Sequence, residues 1–162
     1  MNTPFRCVLI GGESLLIQCA QTLLQRGHQV VALFATRSTI RQWAGKQGIR
    51  VLRDATALLD AGDLQPFDYL FSVTNLSVLN AAVLALPTRG AINFHDGPLP
   101  EYAGLNTPVW ALLNGERAHG ITWHRMSAQV DRGDILVERR FDLEADETSL
   151  TLNTKNYGAA VD

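Results

Sequence analysis

Two side chains that handle protons lie close together in the segment INFHDGPLPEYAG, residues 92–104. Asn93 and His95 end a short apolar run, and a loop rich in Pro and Gly follows them. On a strand, residues i and i+2 point to the same face, about 6–7 Å apart along the chain. An Asn amide donates to a developing oxyanion, and an imidazole exchanges protons near neutral pH. The spacing suits acyl-transfer chemistry, but if the pair stood alone, the simpler interpretation of His95 as a capping or core histidine would be preferred.

A carboxylate suited to the same chemistry occurs further along the chain. Asp131 lies in the segment VDRGDIL, residues 130–136, between two apolar runs. A carboxylate in such a turn can act as the base that acyl transfer to an amine requires. An Asp shortly before Gly is also a common turn former. Taken alone, the residues leave both interpretations of Asp131 open.

The loop after His95 is the candidate wall of a substrate pocket. Its prolines and glycines stiffen the backbone, and it directly follows the two proton-handling residues. The residues in this loop that we expect to face a substrate are Asp96, Gly97, Pro98 and Tyr102.

These side chains need a scaffold, and the sequence predicts alternating strands and helices with short connections. The predicted strands are RCVLIG, VVALFA, 49–52, DYLFSV, GAINFH, GITWHRM and ILVERRF. The predicted helices are 14–26, a helix capped by Ser38 that runs through Trp43, a small helix opened by Asp54, 77–85, 107–114, and one just starting in TLNTKNYGAAVD.

This alternation indicates an α/β fold with an open, mostly parallel Rossmann-like sheet and helices on both faces. Ligands bind at the carboxyl ends of the strands in such sheets, which is where Asn93 and His95 lie. The 162 residues suffice for one domain with a substantial core. Because the sequence stops within a predicted helix, we expect residues 1–162 to be a truncated or N-terminal part of a longer chain.

Composition narrows the classes of function. A hydrophobic content of 46% with 19% charged residues is typical of a globular chain. The net charge of −2 gives no basic footprint for nucleic acid or for an anionic membrane. No apolar run has the length of a membrane span, and the N-terminus lacks a signal-peptide pattern. Cys7 and Cys19 form no metal or redox motif, so we expect buried free thiols, a cytoplasmic location and no metal site.

A pair of glycines after the first strand suggests a dinucleotide site, but the spacing argues against it. The fingerprint G-x-G-x-x-G, begun at Gly11, requires glycines where this chain has Glu13 and Leu16. Glu13 also places a negative charge where a phosphate would bind the helix N-terminus. The sequence therefore predicts a tight turn between strand and helix and disfavours a nucleotide-dependent oxidoreductase.

The Asn-x-His pair, the Pro-Leu-Pro loop and the V-D-x-G-D-I-L segment together resemble the catalytic domain of formyltransferases that use 10-formyltetrahydrofolate. That family includes methionyl-tRNA formyltransferase, glycinamide ribonucleotide formyltransferase, sugar-nucleotide formyltransferases and the formylation domains of peptide synthetases. The resemblance runs from RCVLIG to Tyr157. It implies that Asn93, His95 and Asp131 are the catalytic trio of a one-carbon transferase.

The resemblance also implies where folate binds. In the family, the pterin lies between the loop after the fourth strand and the turn that precedes the catalytic Asp. The corresponding residues are Leu76, Ser77, Val78 and Leu79 in the first segment and Ser127, Ala128, Gln129 and Val130 in the second. Backbone groups provide much of the recognition in such pockets.

Departures from the family pattern bear on the acceptor. Many members read H-P-S-L-L-P, whereas this chain reads HDGPLP, which places Asp96 beside the reaction centre. Glu13 lies where phosphate-binding members have small residues. Both departures favour an amine acceptor, either a small molecule or a carrier-tethered aminoacyl unit presented by downstream domains. Two alternatives remain, a hydrolase that releases formate from 10-formyltetrahydrofolate and a catalytically silent folate-binding or interaction module.

Overall fold

The structure, a computed structural model, describes residues 3–162. The strands are β1 (Arg6–Gly11), β2 (Gln29–Ala35), β3 (Arg50–Val51), β4 (Tyr69–Val73), β5 (Gly90–His95), β6 (Ala118–Arg125) and β7 (Ile135–Asp142). The helices are α1 (Ser14–Gln25), α2 (Ser38–Lys46), α3 (Ala81–Leu84), α4 (Thr107–Leu113) and α5 (Ser149–Val161), with a 3₁₀ helix at Ala55–Leu58. Within residues 3–162, no helix has the length and apolar character that crossing a membrane requires.

The strands form a seven-stranded sheet in the order β3-β2-β1-β4-β5-β6-β7. Strand β1 pairs in parallel with β2 and β4, and β2 pairs in parallel with β3. Strands β6 and β7 pair antiparallel. Sequential strands are separated by helices up to β6, as crossover connections between parallel strands require. The predicted α/β fold with a mostly parallel sheet is confirmed.

The chain divides between Asn93 and Phe94 into two compact units. In the first, β1 is central, and its residues 7–10 are fully buried. Such a continuous apolar run is typical of a parallel strand that is covered on both faces. Cys7 and Cys19 are free and buried, as predicted, and burial raises the pKa of each thiol to about 12.

The junction between β1 and α1 explains the two glycines of the first unit. A Cβ atom on Gly11 would lie 2.0 Å from the Val73 carbonyl oxygen. Glu13 is the N-cap residue of α1, and its carboxylate lies 2.6 Å from the Arg37 guanidinium. Gly11 therefore serves close backbone packing, in agreement with the predicted tight turn.

In the second unit, residues 94–162, β6 and β7 form a hairpin followed by α5. The ring of Phe94 packs edge-on against Trp123, with the centroids 5.4 Å apart. The Trp123 indole N–H donates to the Ala160 carbonyl of α5 at 3.2 Å. Leu152 of α5 is fully buried. These contacts fix α5 against β6.

The predicted helix over residues 77–85 is wrong in its first half. Helix α3 spans only Ala81–Leu84, and Asn80 caps it by accepting from the Val83 N–H at 2.9 Å. Upstream, the Asn75 side chain accepts from the Ser77 N–H and donates to the Ser77 carbonyl. These local bonds satisfy backbone groups outside a helix, which is how Asn competes with helix formation.

Two other helix ends differ from the prediction. Ser38 does not cap α2, because Arg37 occupies the N-cap position and makes no side-chain capping bond. The terminal helix is not merely starting in TLNTKNYGAAVD, since α5 covers 13 residues from Ser149. It begins at a capping box in which Thr148 and Thr151 exchange hydrogen bonds between side chain and backbone.

We predict that Gly11→Ala destabilises the protein by at least about 1–3 kcal/mol, because the added methyl group overlaps the Val73 carbonyl. The matched control is Gly45→Ala. Gly45 lies in α2, and a Cβ there would meet no atom within 4 Å, so the change should stabilise by about 0.5–1 kcal/mol. Urea unfolding followed by circular dichroism measures both effects. Equal stability of Gly11→Ala and the wild type would contradict the packing argument.

Candidate active site

His95 closes β5 with only 6% of the residue exposed. Its ring Nε2 lies 2.6 Å from the Tyr102 carbonyl oxygen. Because a carbonyl oxygen only accepts, Nε2 must carry the proton of this bond. The other nitrogen, Nδ1, is 3.7 Å from Oδ1 of Asp131. The nitrogen that remains for chemistry is therefore Nδ1, on the side of the carboxylate.

Asp131 lies in the segment between β6 and β7 in a left-handed conformation, with φ at 54°. This region is sparsely populated by residues other than Gly, although Asp tolerates it better than most. Its side chain is 9% exposed, and Oδ2 accepts from the Gly104 N–H at 2.9 Å. The backbone bond holds one carboxylate oxygen and leaves Oδ1 facing His95.

A second imidazole, which the sequence analysis missed, faces the same oxygen. His124 Nε2 lies 3.6 Å from Asp131 Oδ1. Its Nδ1 is 2.9 Å from the Arg125 carbonyl oxygen and so carries the ring proton of the neutral form. Burial lowers the pKa of His124 below its ordinary value of 6.5, although the Arg125 carbonyl and Asp131 act in the opposite direction. The signal in the sequence was Thr122 and His124, two polar residues on one face of an apolar strand.

Three groups thus converge on one place in the second unit: Asp131 Oδ1, His95 Nδ1 and His124 Nε2. The two nitrogens are too far from the oxygen for direct hydrogen bonds but within ion-pair distance. In the neutral tautomers described above, both nitrogens present a lone pair. A proton that reaches the cluster is stabilised by a nearly buried carboxylate, as a general base requires.

The glycine of the V-D-x-G motif has a steric cause. A Cβ atom on Gly133 would lie 1.7 Å from the Arg125 carbonyl oxygen. That same oxygen accepts from His124 Nδ1, and the Arg125 N–H donates to the Asp134 carbonyl at 2.8 Å. Gly133 therefore permits the close approach of two backbone segments that presents Asp131 and His124 to each other.

The candidate substrate loop packs closely against α4 and β6. Gly97 and Pro98 are buried, whereas Asp96 and Tyr102 are half-buried. A Cβ on Gly97 would lie 2.8 Å from the Thr107 hydroxyl. The Thr122 hydroxyl donates to the Gly97 carbonyl at 2.8 Å, and the Tyr102 hydroxyl donates to Glu116. Of the four predicted substrate residues, only Asp96 and Tyr102 keep partial access to solvent.

The remaining predicted residues are Asn93 and the two candidate folate segments. Asn93 is half-buried in β5, two residues before His95, and it is the last residue of the first unit. In the same unit, the loop between β4 and α3 exposes Leu76 and Val78 at 82% and 78%, while Leu79 is buried. The predicted folate residues of the second unit, 127–130, are exposed in the segment between β6 and β7. Within residues 3–162, no cluster of three or more His, Cys, Asp and Glu is arranged to hold a metal ion.

We predict that stability decreases as the pH falls below about 6.5. Burial lowers the pKa of both His119 and His124 in the folded chain, so the unfolded chain binds more protons in that range. The stability contributed by the neutral rings is present above 6.5 and is lost as the pH falls toward the lowered values. Urea unfolding between pH 7.5 and 5.5 measures this slope. His124→Gln should reduce the slope, and an unchanged slope in that variant would contradict the assignment.

Known proteins share sequence similarity with this chain. The sequence profile described as "Formyl transferase" matches residues 50–160. The methionyl-tRNA formyltransferase of Alkaliphilus oremlandii is 28% identical over 175 residues, covering 96% of this chain and 56% of that protein. The chain spans about half the length of the curated relatives it matches.

Solved structures share the fold. Glycinamide ribonucleotide transformylase 1 from Symbiobacterium toebii matches with a TM-score of 0.85 at 20% identity, covering 98% of this chain and 82% of that one. A formyltetrahydrofolate deformylase from Pseudomonas syringae pv. tomato matches with a TM-score of 0.83 at 17% identity, covering 97% and 57%. The matched profile segment contains β5 and the segment between β6 and β7, and with it His95 and Asp131. The chain belongs to the formyl transferase family.

Proposed function

We propose that this chain transfers a formyl group from 10-formyltetrahydrofolate to an amine. The observation that supports this most is the pairing of His95 with Asp131 inside the segment that matches the formyl transferase family. The pair supplies a proton acceptor that is nearly buried and already oriented. Residues 1–162 serve as the catalytic domain in this proposal.

The reaction begins when the acceptor amine attacks the formyl carbon on N10 of the folate. A C–N bond forms, the formyl oxygen becomes an oxyanion, and the amine nitrogen becomes acidic. The Asn93 amide donates to that oxyanion. The amine proton passes to the cluster of His95 and Asp131, and the resulting imidazolium adds electrostatic stabilisation to the oxyanion.

Collapse of the tetrahedral intermediate completes the transfer. The C–N10 bond breaks, the oxyanion returns to a carbonyl, and the proton held by the cluster passes to N10. The products are the N-formylated acceptor and tetrahydrofolate, so the transfer needs no external oxidant or reductant. Asp131, whose Oδ2 is fixed by the Gly104 N–H, stabilises the imidazolium of His95 while the ring holds the proton between the two transfers.

The folate is proposed to bind through two irregular segments. One is the loop 76–79, whose Leu76 and Val78 side chains are largely exposed. The other is 127–130, where Val130 is exposed and the Ser127 hydroxyl bonds the Gln129 backbone. Exposed apolar side chains suit a flat heteroaromatic ring.

The acceptor is proposed to be a cationic amine, either a small molecule or an aminoacyl unit tethered to a carrier. Asp96 supports this, since its half-buried carboxylate directly follows His95 and attracts an ammonium group before deprotonation. Glu13, which pairs with Arg37, disfavours a phosphate group at the first helix. The free, buried thiols of Cys7 and Cys19 support a reducing compartment such as the cytoplasm.

The test follows tetrahydrofolate release spectroscopically from 10-formyltetrahydrofolate in the presence of different amines. The panel contains amino-acid methyl esters, aminoacyl thioesters of N-acetylcysteamine, glycinamide ribonucleotide and methionyl-tRNA. We expect turnover that depends on the amine and is fastest with the cationic acceptors without phosphate. Release that is equally fast without amine would indicate the hydrolase instead. Folate binding without turnover would indicate a silent binding module.

Site variants test the roles of the trio. We predict that Asn93→Ala lowers kcat by about 10²–10³, the usual effect of losing one oxyanion donor, and that His95→Ala and Asp131→Asn lower it at least as far. The control is Arg132→Ala, an exposed neighbour of Asp131 in the same turn, which should keep wild-type turnover. Near-wild-type transfer by both Asn93→Ala and His95→Ala would end this site assignment.

A further inference from the structure

The backbone carbonyl of Asp96 accepts hydrogen bonds from three side chains. The Thr107 hydroxyl lies 2.6 Å from it, His119 Nε2 2.8 Å and Asn156 Nδ2 3.1 Å. These donors come from the start of α4, from β6 and from α5. A carbonyl oxygen has two lone pairs, so three donors saturate this one. It belongs to the residue directly after His95.

The orientation of two donors is fixed by this carbonyl. Because it only accepts, the Asn156 amide must present Nδ2, and His119 must carry its proton on Nε2. The opposite atoms, Asn156 Oδ1 and His119 Nδ1, are buried and have no hydrogen-bond partner among the described residues. Burial also lowers the pKa of His119, which favours the neutral ring. In each side chain, therefore, one buried acceptor atom is left without a hydrogen bond while the donor atom bonds to the Asp96 carbonyl.

Folding alone does not require this arrangement at position 156. Asn156 is 0% exposed in the middle of α5, whose N-terminus is capped by Thr148. Leu152, one turn earlier on the same helix face, is also fully buried and apolar. An apolar side chain at 156 would continue that face without an unpartnered acceptor. What Asn156 provides, and an apolar residue would not, is an amide that donates a hydrogen bond to the Asp96 carbonyl.

The carbonyl of Asp96 controls the path of the loop to Tyr102. This loop leaves β5 at His95 and returns to it through the bond from His95 Nε2 to the Tyr102 carbonyl. Gly97 admits no side chain beside Thr107 and Tyr102, so the first turn of the loop is closely packed. A shift at Asp96 is therefore passed to the Tyr102 carbonyl and to the imidazole that it orients.

We propose that Asn156, together with His119, is a positioning residue for formyl transfer that holds His95 through the Asp96 carbonyl. The expected effect on kcat rests on the proposed function, whereas the expected effect on the His95 imidazole does not. It makes α5 part of the support of the site, although no side chain of α5 belongs to the predicted trio. A displacement of a reacting group by about 1 Å can cost about 10² in rate.

The experiment compares Asn156→Leu with Leu152→Ala in the full 162-residue chain. The first keeps approximate volume and removes the donor, whereas the second weakens packing on the same helix face and keeps the donor. Four quantities are measured: kcat and KM for 10-formyltetrahydrofolate with the most reactive amine of the panel, the ring ¹⁵N resonances of His95, and stability in urea. His95→Gln identifies the His95 resonances.

We expect Asn156→Leu to lower kcat by about 10- to 100-fold, with KM for 10-formyltetrahydrofolate within about twofold, and to shift the His95 resonances. Leu152→Ala should be less stable than the wild type but keep its kcat and its His95 resonances. The proposal is overturned if Asn156→Leu keeps both wild-type properties. It is also overturned if Leu152→Ala changes both as strongly, since the role of Asn156 would then be general packing.

A second pair of variants decides the matter if Asn156→Leu does not fold. His119→Gln keeps an amide N–H close to the position of Nε2, and His119→Phe removes the donor while keeping a ring. We expect His119→Gln to recover most of the kcat and of the His95 resonances lost in His119→Phe; equal behaviour of the two contradicts the proposal. If the wild-type chain transfers formyl to no amine, the proposed function fails, and the His95 resonances alone decide the positioning role.

Discussion

The hydrogen bond from His95 Nε2 to the Tyr102 carbonyl is the interaction on which the site depends. A carbonyl oxygen cannot donate, so this bond fixes the tautomer of His95 and turns Nδ1 toward Asp131. Without it, the imidazole could present either nitrogen, and the pairing with the carboxylate would be one arrangement among several. The bond also closes the loop that begins at Asp96, so the ring and the loop hold each other in place.

Close backbone contacts keep that arrangement within narrow limits. Gly97 lies against Thr107, and Gly133 lies against the Arg125 carbonyl, at distances where a Cβ atom would overlap its neighbour. The Arg125 carbonyl in turn sets the tautomer of His124. The left-handed backbone at Asp131 then aims one carboxylate oxygen at both imidazoles. The site is therefore defined by two constraints together: close backbone contacts, and tautomers that place the proton on one nitrogen of each imidazole.

Much of this could be predicted from the sequence where the signal is local. The buried run of β1, the end of β5 at His95 and the turn before Gly133 follow from strand periodicity and turn chemistry, which depend on neighbouring residues. His124 has a local signal, since it alternates with Thr122 on an apolar strand, whereas Asn156 could not be found in this way because its role depends on Asp96, 60 residues earlier in the chain. The residues directly before α3 are not helical, and the cause is local: the Asn75 side chain forms hydrogen bonds with the backbone of Ser77.

The measurement that tests this account most directly is a two-bond ¹H–¹⁵N correlation spectrum of the histidine rings at pH 7.5, assigned with His95→Gln and His124→Gln. The account predicts that His95 carries its proton on Nε2 and that His124 carries its proton on Nδ1, so that opposite nitrogens face the Asp131 carboxylate. A neutral His95 protonated on Nδ1 would contradict it, because the bond to Tyr102 would then be absent and the proposed proton acceptor already occupied.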